Sequence, residues 1–200
     1  SVMALSKIQA ESMNLADTFA FTGTVSGTGG LASATEVDAS GTIVNFTSIP
    51  DGVKHIKVTG TNLGISSGSG VPNSYFVMRI GSNSTLETSG YVGSFFQQNS
   101  AGTDGVCVKI SAGNPGVSGN SWILTRATSA STLMTITADL RLIDDDAHIW
   151  GYQCISVQDN GYGVHLGGGA KTLSARLDRL GVYTYSGYTL NSGTIVIQYA

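Results

Sequence analysis

The sequence is short of charge. Lys, Arg, Asp and Glu make up 12% of its 200 residues, about half the ~25% of an ordinary globular domain. Ten Lys and Arg set against thirteen Asp and Glu leave a net charge of −3. So thin a basic complement gives no electrostatic footprint for nucleic acid, whose binding rests on clustered Lys and Arg. A small net charge beside 41% hydrophobic residues also excludes disorder of the self-repelling kind. Long hydrophobic runs are missing too. None approaches the ~18 apolar residues of a membrane-spanning helix, so no membrane insertion is expected. The first fifteen residues lack the apolar centre of a secretory leader. Ser1 and Val2 ahead of Met3 read as an added pair, or as the start of a piece of a longer chain. The Ala, Glu, Lys, Leu and Arg bias of a coiled coil is absent. Cys107 and Cys154 are the only cysteines, too few for a disulfide framework and not in CxxC spacing. Both sit in apolar runs and read as buried free thiols, with a disulfide between adjacent strands as the alternative.

What the chain has in abundance is Gly, Ser and Thr, together 73 of 200 residues. Such residues suit wet strand faces and turns without charge. Apolar periodicity of 3.6 is weak, and the best helix candidate is Ala4–Leu15, which reads equally as an extended arm. From Thr18 to Val25, Phe19, Phe21 and Val25 alternate with threonines, the period of a strand covered on one face. Glycines then mark an exit near Gly30. Residues 1–30 carry too little apolar content for a core of their own and read as an attachment or trimerisation segment.

Beyond it, strands are expected at Gly41–Thr47, Val53–Thr59, Tyr75–Ile80, Val92–Gln97, Gly105–Ile110, Ser121–Thr125, Thr132–Ile143, His148–Ser156, Gly161–Leu166, Leu180–Tyr185 and Thr194–Tyr199. Their spacing of roughly 8–15 residues, with turn signals between, is that of a sandwich or barrel. Asp51-Gly52 and Asn160-Gly161 are tight-turn dipeptides. The fold class is therefore all-β. Residues 31–200 are expected to form one jelly-roll-like β-sandwich, preceded by the short N-terminal segment. Charge-poor faces lose little on desolvation, and a closed trimer hides sheet edges, so a homotrimer is expected.

Two stretches carry a resemblance. One is Gly167-Gly-Gly-Ala-Lys-Thr-Leu-Ser-Ala-Arg-Leu-Asp-Arg-Leu-Gly-Val-Tyr-Thr-Tyr, followed by Leu190-Asn-Ser-Gly-Thr-Ile-Val-Ile-Gln-Tyr. It resembles the closing segment of a jelly-roll domain of tailed-bacteriophage fibre and other virion surface proteins. The other, Ala4-Leu-Ser-Lys-Ile-Gln with Leu15-Ala-Asp-Thr-Phe-Ala-Phe-Thr-Gly-Thr-Val, is similar to the start of many phage structural proteins. The resemblance covers about the last 35 residues and the first 25. It implies a trimeric virion structural protein on the outside of the particle, a tail fibre or a capsid decoration protein. Residues 3–25 would then join it to other virion proteins of tail or capsid. In physical terms, Gly167–Gly169 read as a turn permitting positive φ. Leu173 and Leu177 read as buried anchors. Asp178 reads as a cap for free backbone N–H groups, and Arg179 as a partner for a carboxylate across a subunit contact.

Signals for chemistry are thin. Gly64-Ile-Ser-Ser-Gly68 fits the Gly-Xaa-Ser-Xaa-Gly elbow of hydrolases, but Gly70, Pro72 and Asn73 follow where that elbow needs a helix. His55, His148 and His165 lie on three different strands without metal-ligand spacing, so no metal and no other cofactor is expected. Asp144, Asp145 and Asp146 lack the Gly and terminal Glu of a calcium loop and read as a solvated turn. Adjacent strand residues face opposite ways, so these acids do not form a pair across a cleft for glycoside cleavage. No enzymatic activity is expected. Aromatics beside amides suit sugars, since a ring covers C–H surface while the amide satisfies hydroxyls. That chemistry selects Tyr91, Phe96, Gln97 and Tyr188 as candidate ligand contacts, with core packing as the alternative for each ring. The leading expectation is an exposed fibre or knob that binds a host-surface glycan or protein. The rival is a capsid decoration protein that stabilises the head.

Overall fold

In a computed structural model of the chain, the described residues are 31, 35–66, 74–98, 105–112, 119–127, 129–159, 163–185 and 187–200. The readings of Ala4–Leu15, Thr18–Val25, the attachment segment 3–25 and the Asn160-Gly161 turn lie outside them. The unit Leu31–Ala200 holds thirteen strands among these residues: β1 (Thr35–Asp38), β2 (Ile43–Thr47), β3 (His55–Ile65), β4 (Ser74–Ser82), β5 (Thr85–Leu86), β6 (Tyr91–Gln98), β7 (Gly105–Ile110), β8 (Trp122–Ala127), β9 (Met134–Asp144), β10 (Ile149–Gln158), β11 (Val164–Thr172), β12 (Arg179–Thr184) and β13 (Leu190–Tyr199).

They form an all-β, sandwich-like pair of sheets. One has eight strands in the order β1-β13-β3-β9-β10-β11-β6-β7. The other runs β2-β12-β4-β5, with β8 also paired to β4. The chain passes repeatedly between the sheets, and every pairing is antiparallel. Alternation sets which side chains turn inward. Along β10, Trp150, Tyr152, Cys154, Ser156 and Gln158 are buried while Gln153, Ile155 and Val157 are exposed.

The core joins the inner faces. Ile56, Leu63, Met134, Ile136 and Leu140 from the larger sheet meet Phe76, Met78, Ile80, Leu180 and Val182 from the smaller. Each such side chain contributes ~1.5–3 kcal/mol on burial. Aromatics bridge the layers. Trp122 stacks on Tyr152 at 4.5 Å and meets Tyr91 edge-on at 5.2 Å. The Tyr152 hydroxyl donates to the Ile123 carbonyl of the opposite sheet at 2.9 Å.

Turn chemistry agrees with the sequence at Asp51-Gly52, where Gly52 has φ +83°. The β4–β5 hairpin has a two-residue loop, Asn83-Ser84, with φ of 50° and 64°. Two left-handed residues match the twist of a tight hairpin. Gly167–Gly169 correct an expectation. They are not a turn but the middle of β11, paired to β10 and β6. A Cβ on Gly167 would lie 2.7 Å from the Tyr152 hydroxyl and 2.8 Å from Cys154 Sγ; on Gly169 it would lie 2.1 Å from the Val92 carbonyl oxygen. Close approach of neighbours explains glycine at both positions. The thiols are both free, but only Cys154 is buried; Cys107 is exposed. β7 is an edge strand and Cys107 faces outward from it, which corrects the reading of two buried thiols. Burial pushes the Cys154 pKa up to about 12, so it is the inert one.

Candidate functional site

The C-terminal motif residues form a clasp on the β4–β5 hairpin. Lys171 is buried and pairs with the carboxylate of Glu87. The same carboxylate accepts hydrogen bonds from the Ser174 backbone N–H at 2.7 Å, the Ser174 hydroxyl at 2.9 Å and the Ser82 hydroxyl at 3.1 Å. Burial alone would raise the Glu87 pKa; the Lys171 and Ser174 bonds outweigh it and hold the carboxyl below its usual value. Leu173 and Leu177 are buried anchors, as expected. Asp178 caps a backbone N–H, that of Ser84, at 2.8 Å. Arg179 pairs with Asp178 within the chain at 2.9 Å. Lys171, Ser174 and Asp178 therefore hold the hairpin in place, and Glu87 is the residue that sequence reasoning missed.

The candidate ligand contacts separate. Tyr91, Phe96 and Gln97 share β6, but Tyr91 and Gln97 face the core and Phe96 faces out. Tyr91 is fully buried; its hydroxyl accepts from the Ile80 N–H at 2.9 Å and contacts the Ile80 and Glu87 carbonyls. Burial raises its pKa well above the usual tyrosine value. Gln97 is buried, with its Oε1 accepting from Arg126 at 3.0 Å. Neither is available to a ligand: both aromatic and amide serve the core. Tyr188 is half-buried, and its carbonyl accepts the Thr184 hydroxyl. It leads into β13, five strand positions from β6, about 24 Å across the sheet. The four therefore do not make one site.

The chemistry candidates are also placed. Ser66 of the Gly-Xaa-Ser-Xaa-Gly match bonds Thr189 Oγ1 at 2.5 Å; no histidine or acid activates it among the described residues. His55 bonds Asp139 at 2.8 Å. Asp144 accepts the Ala147 N–H at 2.9 Å, closing the acidic turn. His165 is buried. Its Nδ1 lies 2.7 Å from Thr125 Oγ1, while its Nε2 has no described partner. Burial and the nearby Arg126 cation push its pKa down to about 4, so it is neutral at physiological pH. Among the described residues, no three His, Cys, Asp or Glu side chains group as metal ligands, and no helix is long and apolar enough to cross a membrane. The notch between Pro50, Asp51, His148, Trp150 and Arg176 encloses about 20 Å³, room for roughly one water.

The feature with room and exposed chemistry is the outer face of the eight-stranded sheet. Register sets its rows. Thr137, Ile155, Leu166, Phe96 and Cys107 lie side by side across β9, β10, β11, β6 and β7. Val157 and Val164 pair beside them. Ile155, Val157, Val164, Leu166 and Phe96 are 40–49% exposed and form a ridge. The next row is Asp139, Gln153, Gly168, Ser94 and Lys109. Arg141, Gly151, Ala170 and Val92 follow. Small residues at the centre of these two rows make a trough. Ile143 leans over Gly151 at its far side. Two adjoining depressions of about 290 Å³ each lie there, one lined by Ile143, Gly151 and Gln153 and the other by Ile155, Leu166 and Gly167, with Asp139 on the wall of both. Charge stays at the margins: His55, Lys57, Asp139 and Arg141 on β3 and β9, and Lys109 on β7. Sequence alternation hides this face, because β6 and β10 carry apolar residues on both sides and β11 turns His165 and Lys171 inward and Val164 and Leu166 outward.

No family model and no curated protein matches the chain. Among solved structures, a Lotus tetragonolobus seed lectin is similar at 12% identity, over 84% of this chain and 94% of that one. The TM-score is 0.17, and a likeness at that level carries no argument about fold or function.

Proposed function

We propose that the chain is a non-enzymatic structural protein on the exterior of a tailed-bacteriophage particle. In this reading it is a homotrimeric fibre or knob whose loops hold a host-surface glycan or protein, while residues 3–25 join it to the particle. The observation that carries the reading is the broad apolar outer face of the larger sheet. A contiguous exposed apolar surface of this kind marks a contact surface, and its breadth over five strands suits a macromolecule. Two further features support it. The polar side chains of the closing motif are spent within the fold, Lys171, Ser174 and Asp178 on holding the β4–β5 hairpin and Arg179 on Asp178, which suits a rugged scaffold. Several weak sites on one rigid assembly also raise effective concentration at a cell surface.

The test is adsorption. Purified protein, added to host cells before phage, should bind the cells saturably and reduce phage attachment. An antibody against the chain should label the tail or another exposed fibre in electron micrographs. Labelling confined to the head, with no effect on attachment, transfers the protein to the decoration reading. Particles that carry no label at all overturn the virion assignment.

A further inference from the structure

We infer that the outer face of the eight-stranded sheet is the surface on which copies of this chain pack against one another. The inference rests on the reading above only in taking the chain to assemble with itself; the two-fold pairing it describes joins two copies, where that reading has three. Seven large apolar side chains stand on this sheet between 40% and 66% exposed. Taking the ~150 Å² of the smaller aromatic side chains as an upper figure for each, they present at most on the order of 500 Å². A stable association buries ~800 Å² per partner. The apolar patch alone thus supplies most of what one partner in a stable complex needs, and it lies at the upper end of what a lone monomer exposes (~300–600 Å²).

Shape and charge select a second copy as the occupant. The ridge of Ile155, Leu166 and Phe96 runs beside the trough of Gly168, Ser94 and Ala170 on the same face. A copy turned about an axis along the rows, across the strands, sets its ridge into the first copy's trough and offers its trough in return. Stacked sheets need about 10 Å between them, and small residues opposite large ones fill that space without voids. The central residues of ridge and trough carry no charge, so their complement must be uncharged as well, and this face meets that condition against itself. The charged groups that border it, His55, Lys57, Asp139, Arg141 and Lys109, stay at the rim, where an interface tolerates them.

The experiment reads mass and thiol access on the full chain. Cys107 sits in the ridge row beside Phe96, and it is exposed in the single chain while Cys154 is buried. Sedimentation equilibrium should give the intact protein a mass of two or more times 20.6 kDa, with Cys107 slow to react with a thiol reagent. Leu166→Glu alters an exposed side chain, so the fold should survive, as circular dichroism and the melting curve will show. This variant should sediment as a single chain, and its Cys107 should label about ten-fold faster or more, as an uncovered thiol does. Ile155→Lys should behave alike. A single-chain mass for the intact protein overturns the inference, including the case in which Cys107 is nevertheless shielded, since residues 1–30 or another protein would then cover the face. An assembly that persists unchanged in both variants overturns it too. The adsorption test is read separately: a monomer that still blocks attachment removes this interface and the trimer with it, and leaves the host-binding, particle-surface reading standing. An assembly that dissolves in Leu166→Glu but never binds cells or particles does the reverse.

Discussion

Glu87 shows how one side chain organises the closing motif. It is the shared acceptor for Lys171 and Ser174, residues 84 and 87 positions away. Glu87→Gln leaves a buried ammonium without its charge partner, and the expected loss is about 3 kcal/mol, read as a lowered denaturant midpoint. Asp178→Ala frees the Ser84 N–H and should cost about 1 kcal/mol; an unchanged melting temperature would contradict the capping role. His165 gives a pH signature. Its folded pKa, about 4, is below the ~6.5 of an unfolded histidine. Between those values the unfolded chain binds the extra proton, so stability is full above pH ~6.5 and falls as the pH drops toward 4. The loss is at most about 3 kcal/mol. Replacing His165 with Gln should flatten the melting profile across that window, and a slope identical to that of the parent protein would contradict it. Glu87, held below its usual value, adds a second decline that begins as the pH reaches the ordinary glutamate pKa and continues below it.

At the scale of elements, β11 is the instructive case. Its three glycines read as a turn from the sequence, because a glycine run signals loop when only local chain geometry is considered. Pairing to β10 and β6 keeps them extended, and crowding explains why they are glycine: Tyr152 and Cys154 lie against Gly167, and the β6 backbone against Gly169. Gly167→Ala should therefore destabilise by about 1–3 kcal/mol through overpacking, measurable as a fall in melting temperature. Each of the eleven strands expected from alternation and turn signals overlaps an observed one; Gly105–Ile110 coincides with β7, and the other ten differ at one or both ends. β1 and β5 were not legible. β1 is largely exposed and polar, Thr-Glu-Val-Asp, and β5 has two residues, so neither carries an apolar period. Side-chain phase was the harder problem. In β6, the adjacent Phe95 and Phe96 take opposite faces, so alternation alone gives no phase. That ambiguity sent Tyr91 and Gln97 to the surface in the sequence reading and concealed the outer ridge. Glu87 was invisible for another reason: its partners are distant in sequence and nothing in Leu-Glu-Thr-Ser marks it.

For the whole molecule, the physical argument joins a clasped sandwich to a broad apolar face with an uncharged centre. The clasp fixes the hairpin, the aromatic bridges fix the layers, and the outer sheet face is left to interact. Its five-residue ridge and neighbouring trough give an assembly without ion pairs at its centre. Raising salt should therefore leave that assembly intact, since screening acts on exposed charge pairs; dissociation in concentrated salt would assign the contact to the rim charges instead. The most direct measurement is a sedimentation velocity dilution series on the full chain. The account predicts a single boundary heavier than one 20.6 kDa chain that dissociates only on dilution, and that the same series on Leu166→Glu contains the lone chain throughout. A lone 20.6 kDa species at every concentration of the unaltered protein would contradict it.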